Sequence, residues 1–194
     1  AFSGPNALTH LYRSTDNGLT WSGPENTECL CGSSTVMQIS DGTIFLSGSP
    51  FHCEGMFHDQ VLYRSTDNGH SWSDAIVVAS PPFTVAEGGL VEMPGGELIL
   101  YMRADDNPHR VGLKAISRDR GLTWDGPYAA GYWPISGRIN CGRLSTGETL
   151  VTHRVGGFRP QCWFGYFMET AETAVAPIPN SATATNSPPA LAWG

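Results

Sequence analysis

Arg13-Ser-Thr-Asp-Asn-Gly-Leu-Thr-Trp21 returns almost unchanged as Arg64-Ser-Thr-Asp-Asn-Gly-His-Ser-Trp72, and again as Ile116-Ser-Arg-Asp-Arg-Gly-Leu-Thr-Trp124. The shared frame, at residues 14–21, 65–72 and 117–124, is Ser-x-Asp-x-Gly-x-(Thr/Ser)-Trp. It recurs about every fifty residues, a period that marks stacked supersecondary units. Each part of the frame has a physical task. Asp16, Asp67 and Asp119 can fold back onto backbone amides, and Gly18, Gly69 and Gly121 supply a positive φ. Trp21, Trp72 and Trp124 are then expected to anchor each turn on the strands beneath it.

A second repeat interleaves with the first. Strand-like runs flank a short turn at Thr35–Ile39 and Thr43–Leu46, at Leu90–Met93 and Glu97–Tyr101, and at Ile139–Leu144 and Glu148–Thr152. The turns carry Gly42, Gly96 and Gly147, so each pair reads as a hairpin. A third strand precedes the Asp turn, as in Gln60–Tyr63 or Val111–Ile116, and a fourth follows the Trp, as in Ala75–Val78. Four strands per repeat make the blade of a β-propeller. The expected fold is therefore all-β, with residues 1–176 holding about three to four blades of an expected six. No amphipathic helix is foreseen. A fourth Asp turn falls due near residue 170, but Met168–Val175 does not carry the frame. Residues 177–194, rich in Pro, Ala, Ser and Thr, read as a linker or disordered tail.

Composition narrows the function. The 194 residues carry 18 acidic and 11 basic side chains, a net charge of −7, which argues against a nucleic-acid partner. No apolar run is long enough for a membrane-spanning helix. Residues from Ala1 onward lack a leader pattern, so either a leader was removed or the chain starts inside a longer protein. Five cysteines suit an oxidising compartment with one or two disulfides and at least one free thiol, the pairing left open. Cys29-x-Cys31 has no partner pair at zinc spacing. His52-Cys53 with His58 and Asp59 is awkward for one ion and reads as an exposed loop. No metal or other cofactor is expected.

All basic residues but Lys114 are arginine. In a four-stranded blade the Asp turns share a rim with the hairpins, which assigns them a structural role. The opposite rim collects the starts of first strands and the ends of second strands. Counting nine residues back from the hairpin glycines reaches Glu87 and Arg138, and seven forward reaches Arg103 and Arg154. The first blade has Ser33 and Ser49 there, and Asp105, Asp106, His109 and Arg159 lie in adjoining loops. Arginines converging on one rim favour an anion or carboxylate among them.

At this point residues 9–170 resemble the sialidase (neuraminidase) superfamily, whose Asp-box, or BNR repeat, matches the repeated turn. The sharper match is Glu87-Gly-Gly-Leu-Val-Glu-Met-Pro-Gly-Gly-Glu-Leu-Ile-Leu-Tyr-Met-Arg103. It resembles the sialidase stretch in which a Glu is followed, across one hairpin, by an Arg. The resemblance implies that Glu87 polarises a tyrosine nucleophile, and that Arg103 is one of three arginines holding the sugar carboxylate. Thr152-His-Arg-Val-Gly-Gly-Phe-Arg159 resembles the stretch bearing another triad arginine; Arg159 is preferred there, with Arg138 and Arg154 as rivals. The implied activity is a retaining exo-α-sialidase acting on terminal sialic acids of glycoconjugates. Its ligands would be sialylated or other anionic glycans, and its location secreted, periplasmic or cell-surface. The family's acid/base Asp and first arginine motif precede the first Asp-box and are not found in Ala1–His10. Tyr166 is too close to Arg159 to be the nucleophile, which is expected outside this chain. The alternative is a non-catalytic Asp-box propeller that binds carbohydrate or protein.

Overall fold

Strands β1 (Leu8–Leu11) and β2 (Glu25–Leu30) form an antiparallel pair. The next sheet runs in sequence order through β3 (Gly32–Gln38), β4 (Ile44–Ser49), β5 (Gln60–Ser65) and β6 (Ile76–Ala79). The following one repeats that order with β7 (Val85–Glu92), β8 (Leu98–Ala104), β9 (Gly112–Ser117) and β10 (Asp125–Ala130). A last sheet holds β11 (Asn140–Arg143), β12 (Thr149–Val155) and β13 (Trp163–Glu169). The computed structural model describes residues 8–50, 59–81, 84–104, 112–130, 137–155 and 163–175. Residues 177–194 lie outside that set, as do His52, Cys53, His58 and Cys162.

These are propeller blades: antiparallel meanders whose first strands, β3, β7 and β11, lie side by side on the inner edge. The apolar residues explain why they stack. Leu98, Ile99, Leu100, Tyr101 and Met102 form an unbroken apolar run in β8 and are all fully buried. A strand of this kind must be covered on both faces. One face meets Phe45, Leu62 and Val85; the other meets Val91, Ile116, Ile139 and Val151. Each such side chain contributes about 1.5–3 kcal/mol by leaving water.

The three Asp-boxes have one hydrogen-bond pattern. In the second, Asp67 Oδ1 accepts from Ser71 N at 2.9 Å and from Ser65 Oγ at 2.8 Å, while Gly69 N donates to Ser65 Oγ at 2.8 Å. The first and third match it through Asp16 with Thr20 and Ser14, and Asp119 with Thr123 and Ser117. Hydrogen bonds from Thr20 hold the Asp16 carboxyl at about 2. At Asp119 burial raises the pKa, but bonds from Thr123 and Ser117 outweigh it and keep the carboxyl below the usual range.

The tryptophans do not behave alike. Trp72 and Trp124 are half-buried, whereas Trp21 is 62% exposed. Blade stacking supplies the reason. Gly69 lies under Leu11 and Arg13 of the preceding sheet, and Gly121 lies under Phe45, but among the described residues nothing comparable covers Gly18. Trp21 still donates to Gly18 O at 3.2 Å, so it closes its own turn without anchoring it to a neighbour.

The fourth box is replaced rather than merely lost. Glu169 pairs with Thr149, the register place that Ser65 and Ser117 take opposite Ile44 and Leu98. Instead of closing a turn, its carboxylate reaches the preceding blade, accepting from Lys114 Nζ at 3.0 Å and from the Tyr101 hydroxyl. Lys114 is completely buried and also donates to Thr173 O at 2.9 Å. That carbonyl belongs to a single helical turn, α1 (Ala171–Ala174), which the sequence reading did not foresee. Thr170 caps it by accepting from Thr173 N.

Three of the five cysteines are outside any disulfide: Cys29 and Cys31, both buried, and Cys141. Two disulfides are therefore not formed. Cys29 and Cys31 pack with Leu46, Val61 and Tyr63, and burial pushes the Cys29 thiol up to about 11. Asp59 is also buried rather than part of an exposed loop.

Candidate active-site rim

Strand β7 starts several residues earlier than its apolar pattern suggests, because it continues through a bulge. Ala86 faces Arg103 and Gly89 faces Tyr101, so Glu87 and Gly88 together stand opposite Met102. Glu87 takes the left-handed conformation there, with φ of 52°, a cost of about 1–2 kcal/mol for a residue with a Cβ. The glycines after it permit close packing on both sides. A Cβ on Gly88 would meet Gln60 Oε1 at 3.0 Å, and one on Gly89 would meet Cys141 Sγ and Ile139 Cγ2 at 3.0 Å.

The bulge turns the Glu87 side chain to Arg103, whose Nη1 donates to Glu87 Oε2 at 2.9 Å. Both side chains are largely buried, at 17% and 18% exposure. A charge-assisted bond in such a setting is stronger than a surface ion pair.

The register places the other candidates. Arg103 lies five residues beyond Leu98, which faces Glu92; Arg154 lies five beyond Thr149, which faces Arg143. Arg103 and Arg154 thus hold the same place on neighbouring second strands, and Arg154 packs against Gly137. Ser49 has the corresponding place in the first full blade, but it is buried and donates to Val85 O at 3.1 Å. It braces β7 instead of facing an open rim.

Arg138 is displaced from the pairing that counting suggests. Strand β11 keeps unbroken register from Arg143 to Asn140, whereas β7 has taken up an extra residue. The residue beside Glu87 is consequently Ile139, whose N donates to Glu87 O at 3.4 Å, and Arg138 is exposed next to it. Arg159, Asp105, Asp106 and His109 lie outside the described residues.

Sequence reasoning missed Gln60, Ser47 and the Tyr101–Glu169 pair. A Tyr–Glu pair invites a nucleophilic reading, but Tyr101 is fully buried, and burial together with the Glu169 charge raises its hydroxyl well above the usual tyrosine range. It serves packing. An open groove of about 350 Å³ between β3, β7 and β11 is lined by Met37, Leu90, Glu92, Cys141 and Arg143. It lies toward the hairpin rim, where Glu92 is already bound by Ser40 N and Oγ at 2.7 and 2.6 Å. Among the described residues no cluster of His, Cys, Asp and Glu could hold a metal.

Residues 3–156 match the family model described as a BNR repeat-like domain. No protein of curated function matches the sequence. Among solved structures, the chain is similar to a protein of unknown function from Dyadobacter fermentans, at 18% identity and a TM-score of 0.68, over 84% of this chain and 48% of that one. It is also similar to an α-L-arabinanase from Penicillium chrysogenum, at 22% identity and 0.66, over 86% and 55%. A Hadza microbial sialidase matches at 20% identity and 0.59, over 82% and 37%. The chain thus spans from about a third to little more than half of these structures.

Proposed function

The chain belongs to the BNR repeat-like domain family, and from that premise we propose that it forms part of a glycoside hydrolase of the exo-α-sialidase type. The observation that carries the reading is the Glu87–Arg103 pair on the β7 bulge, with Arg154 in the equivalent place of the next blade. Arginine forks grip a carboxylate with direction as well as charge, which suits the carboxylate of a terminal sialic acid. Glu87 acts as the base that takes the proton of a tyrosine nucleophile supplied from beyond this chain. Tyrosine nucleophiles are a recognised exception among glycosidases. A substrate carboxylate arriving at Arg103 competes with Glu87 for the guanidinium and releases Glu87 for proton transfer. Arg138 and Arg159 are the further candidates for the carboxylate. A secreted, periplasmic or cell-surface location follows from glycoconjugate substrates.

A second reading is a neutral-sugar glycosidase. Two features favour it: Arg103 and Glu87 offset each other's charge, and an α-L-arabinanase shares the fold. The test is direct. The protein expressed from its complete reading frame is assayed on a fluorogenic α-sialoside and a fluorogenic α-L-arabinofuranoside. Sialic acid should be released, and Glu87→Gln should lower kcat by about 10²–10⁴-fold, the usual worth of a general base. Arg103→Ala should act mainly on KM for the sialoside. Release of arabinose alone would move the protein to the neutral-sugar class. No turnover and no binding of either sugar would leave the non-catalytic module.

A further inference from the structure

The residue that shapes the Glu87 bulge belongs to another blade. Gln60, at the start of β5, is completely buried. Its Oε1 accepts from Gly88 N at 3.2 Å. That N–H belongs to the bulge, where the strand ladder is interrupted and backbone groups need partners from elsewhere. Gln60 Nε2 donates to Gly48 O at 2.7 Å, and lies 3.2 Å from both Val61 O and Ser47 Oγ. Ser47 Oγ in turn donates to Gly88 O at 3.2 Å. The two polar groups of Gly88 are therefore both held by the preceding blade, and Glu87 O is held by Ile139 of the following one.

This arrangement is not a property of every blade. Val61 pairs with Gly48 as Leu113 pairs with Met102, so Gly112 takes the place of Gln60 in the next blade; by the same count Phe164 takes it in the last. Ser47 likewise gives way to Tyr101 and Thr152. The buried amide occurs behind the one inner strand that carries Glu87 in a left-handed conformation. An apolar residue would fill the same space at lower desolvation cost, and a buried polar group kept fully bonded specifies one geometry.

We infer that Gln60, with Ser47, is a positioning residue for Glu87: it holds the Glu87–Gly88 bulge and thereby aims the Glu87 carboxylate at Arg103 and the reacting centre. The functional half of this inference rests on the glycosidase reading above; the structural half does not.

The variants are Gln60→Met, which keeps the volume and removes both hydrogen-bonding ends, and Gln60→Glu, which keeps an acceptor for Gly88 N. Two readouts separate the two halves. The first is carbon-13 NMR of the Glu87 carboxyl and exchange of the Gly88 amide, in the full-length protein. Gln60→Met should speed Gly88 exchange at least tenfold and move the Glu87 carboxyl carbon resonance, with Gln60→Glu partly restoring both. If neither signal moves in a folded Gln60→Met, the positioning role is overturned whatever the enzyme does. The second readout is turnover. Gln60→Met should lower kcat about ten- to a hundredfold, as displaced catalytic groups do, with KM little changed and the acid limb of the pH profile shifted. A wild-type protein without glycosidase activity would overturn the functional half. Should Gln60→Met fail to fold, Ser47→Ala, which removes only the hydroxyl on Gly88 O, takes its place in both readouts under the same criteria.

Discussion

The two rims of the blades are built on opposite principles. On the Asp-box rim, each turn is closed from within: Ser65, Asp67, Gly69 and Ser71 bond to one another inside seven residues. On the Glu87 rim, the hydrogen bonds to the bulge backbone come from neighbouring blades. Glu87–Gly88 is held by Gln60 and Ser47 from one blade and Ile139 from the other, with partners 28, 41 and some fifty residues away in sequence. The lesson is that a repeated motif can keep its form three times over because it carries its own partners. The Glu87–Gly88 bulge keeps its form where the fold brings distant groups to it.

That contrast can be broken by mutation. The largest effect is expected at Gly121, where the Asp-box does depend on a neighbour. Gly121→Ala combines a positive φ with a Cβ 2.6 Å from Phe45 Cζ, and should cost about 3 kcal/mol in urea melts. Gly18→Ala has the same φ problem but its Cβ would meet only Trp21 Cζ2, at an ordinary 3.7 Å, and it should cost only about 1 kcal/mol. Equal losses at the two sites would show that blade stacking adds nothing to the boxes. Next comes Gly89→Ala on the other rim, which forces Ile139 and Cys141 to give way. About 2 kcal/mol is expected, together with a displaced Glu87–Arg103 pair visible by NMR.

Acid should open the Asp-box rim by a route of its own. Hydrogen bonds from Thr20 lower Asp16 from an ordinary 3.8 to about 2, and Asp67 is pushed the same way by Ser71. A carboxyl depressed on folding stabilises the native state above its unfolded pKa, and that contribution fades as pH falls through the folded value. The Thr20 amide resonance should therefore move as pH falls through about 2, and that of Ser71 at still lower pH. Movement only above pH 4 would sink the assignment. The smallest effect belongs to Arg120, which is left-handed where the other boxes have Asn17 and Asn68, and is paired with exposed Asp41. Arg120→Asn relieves φ strain and loses a surface ion pair, so the net change should stay within about 0.5 kcal/mol.

Much of the fold was legible because its signals are local. The Ser-x-Asp-x-Gly frame and the hairpin glycines mark both turns of each blade, and the apolar run of β8 marks its burial. Glu87 and Arg103 could be singled out by counting from a hairpin, since both lie on one pair of strands. Arg138 could not be placed by the same count, because a bulge in β7 leaves no trace in residue spacing. Ser49, Gln60 and Lys114 were illegible for a related reason. Each is a polar residue whose burial depends on a partner in a neighbouring blade.

The sequence by itself determined the repeat, the four-stranded blade and the self-closing Asp turns, because their stabilising contacts fall within a few residues. The tertiary structure decided which tryptophan is covered, how Glu169 comes to replace an Asp-box, and where Glu87 points. Those outcomes depend on buried hydrogen bonds and close contacts between blades, and such contacts form only between residues that stacking brings together.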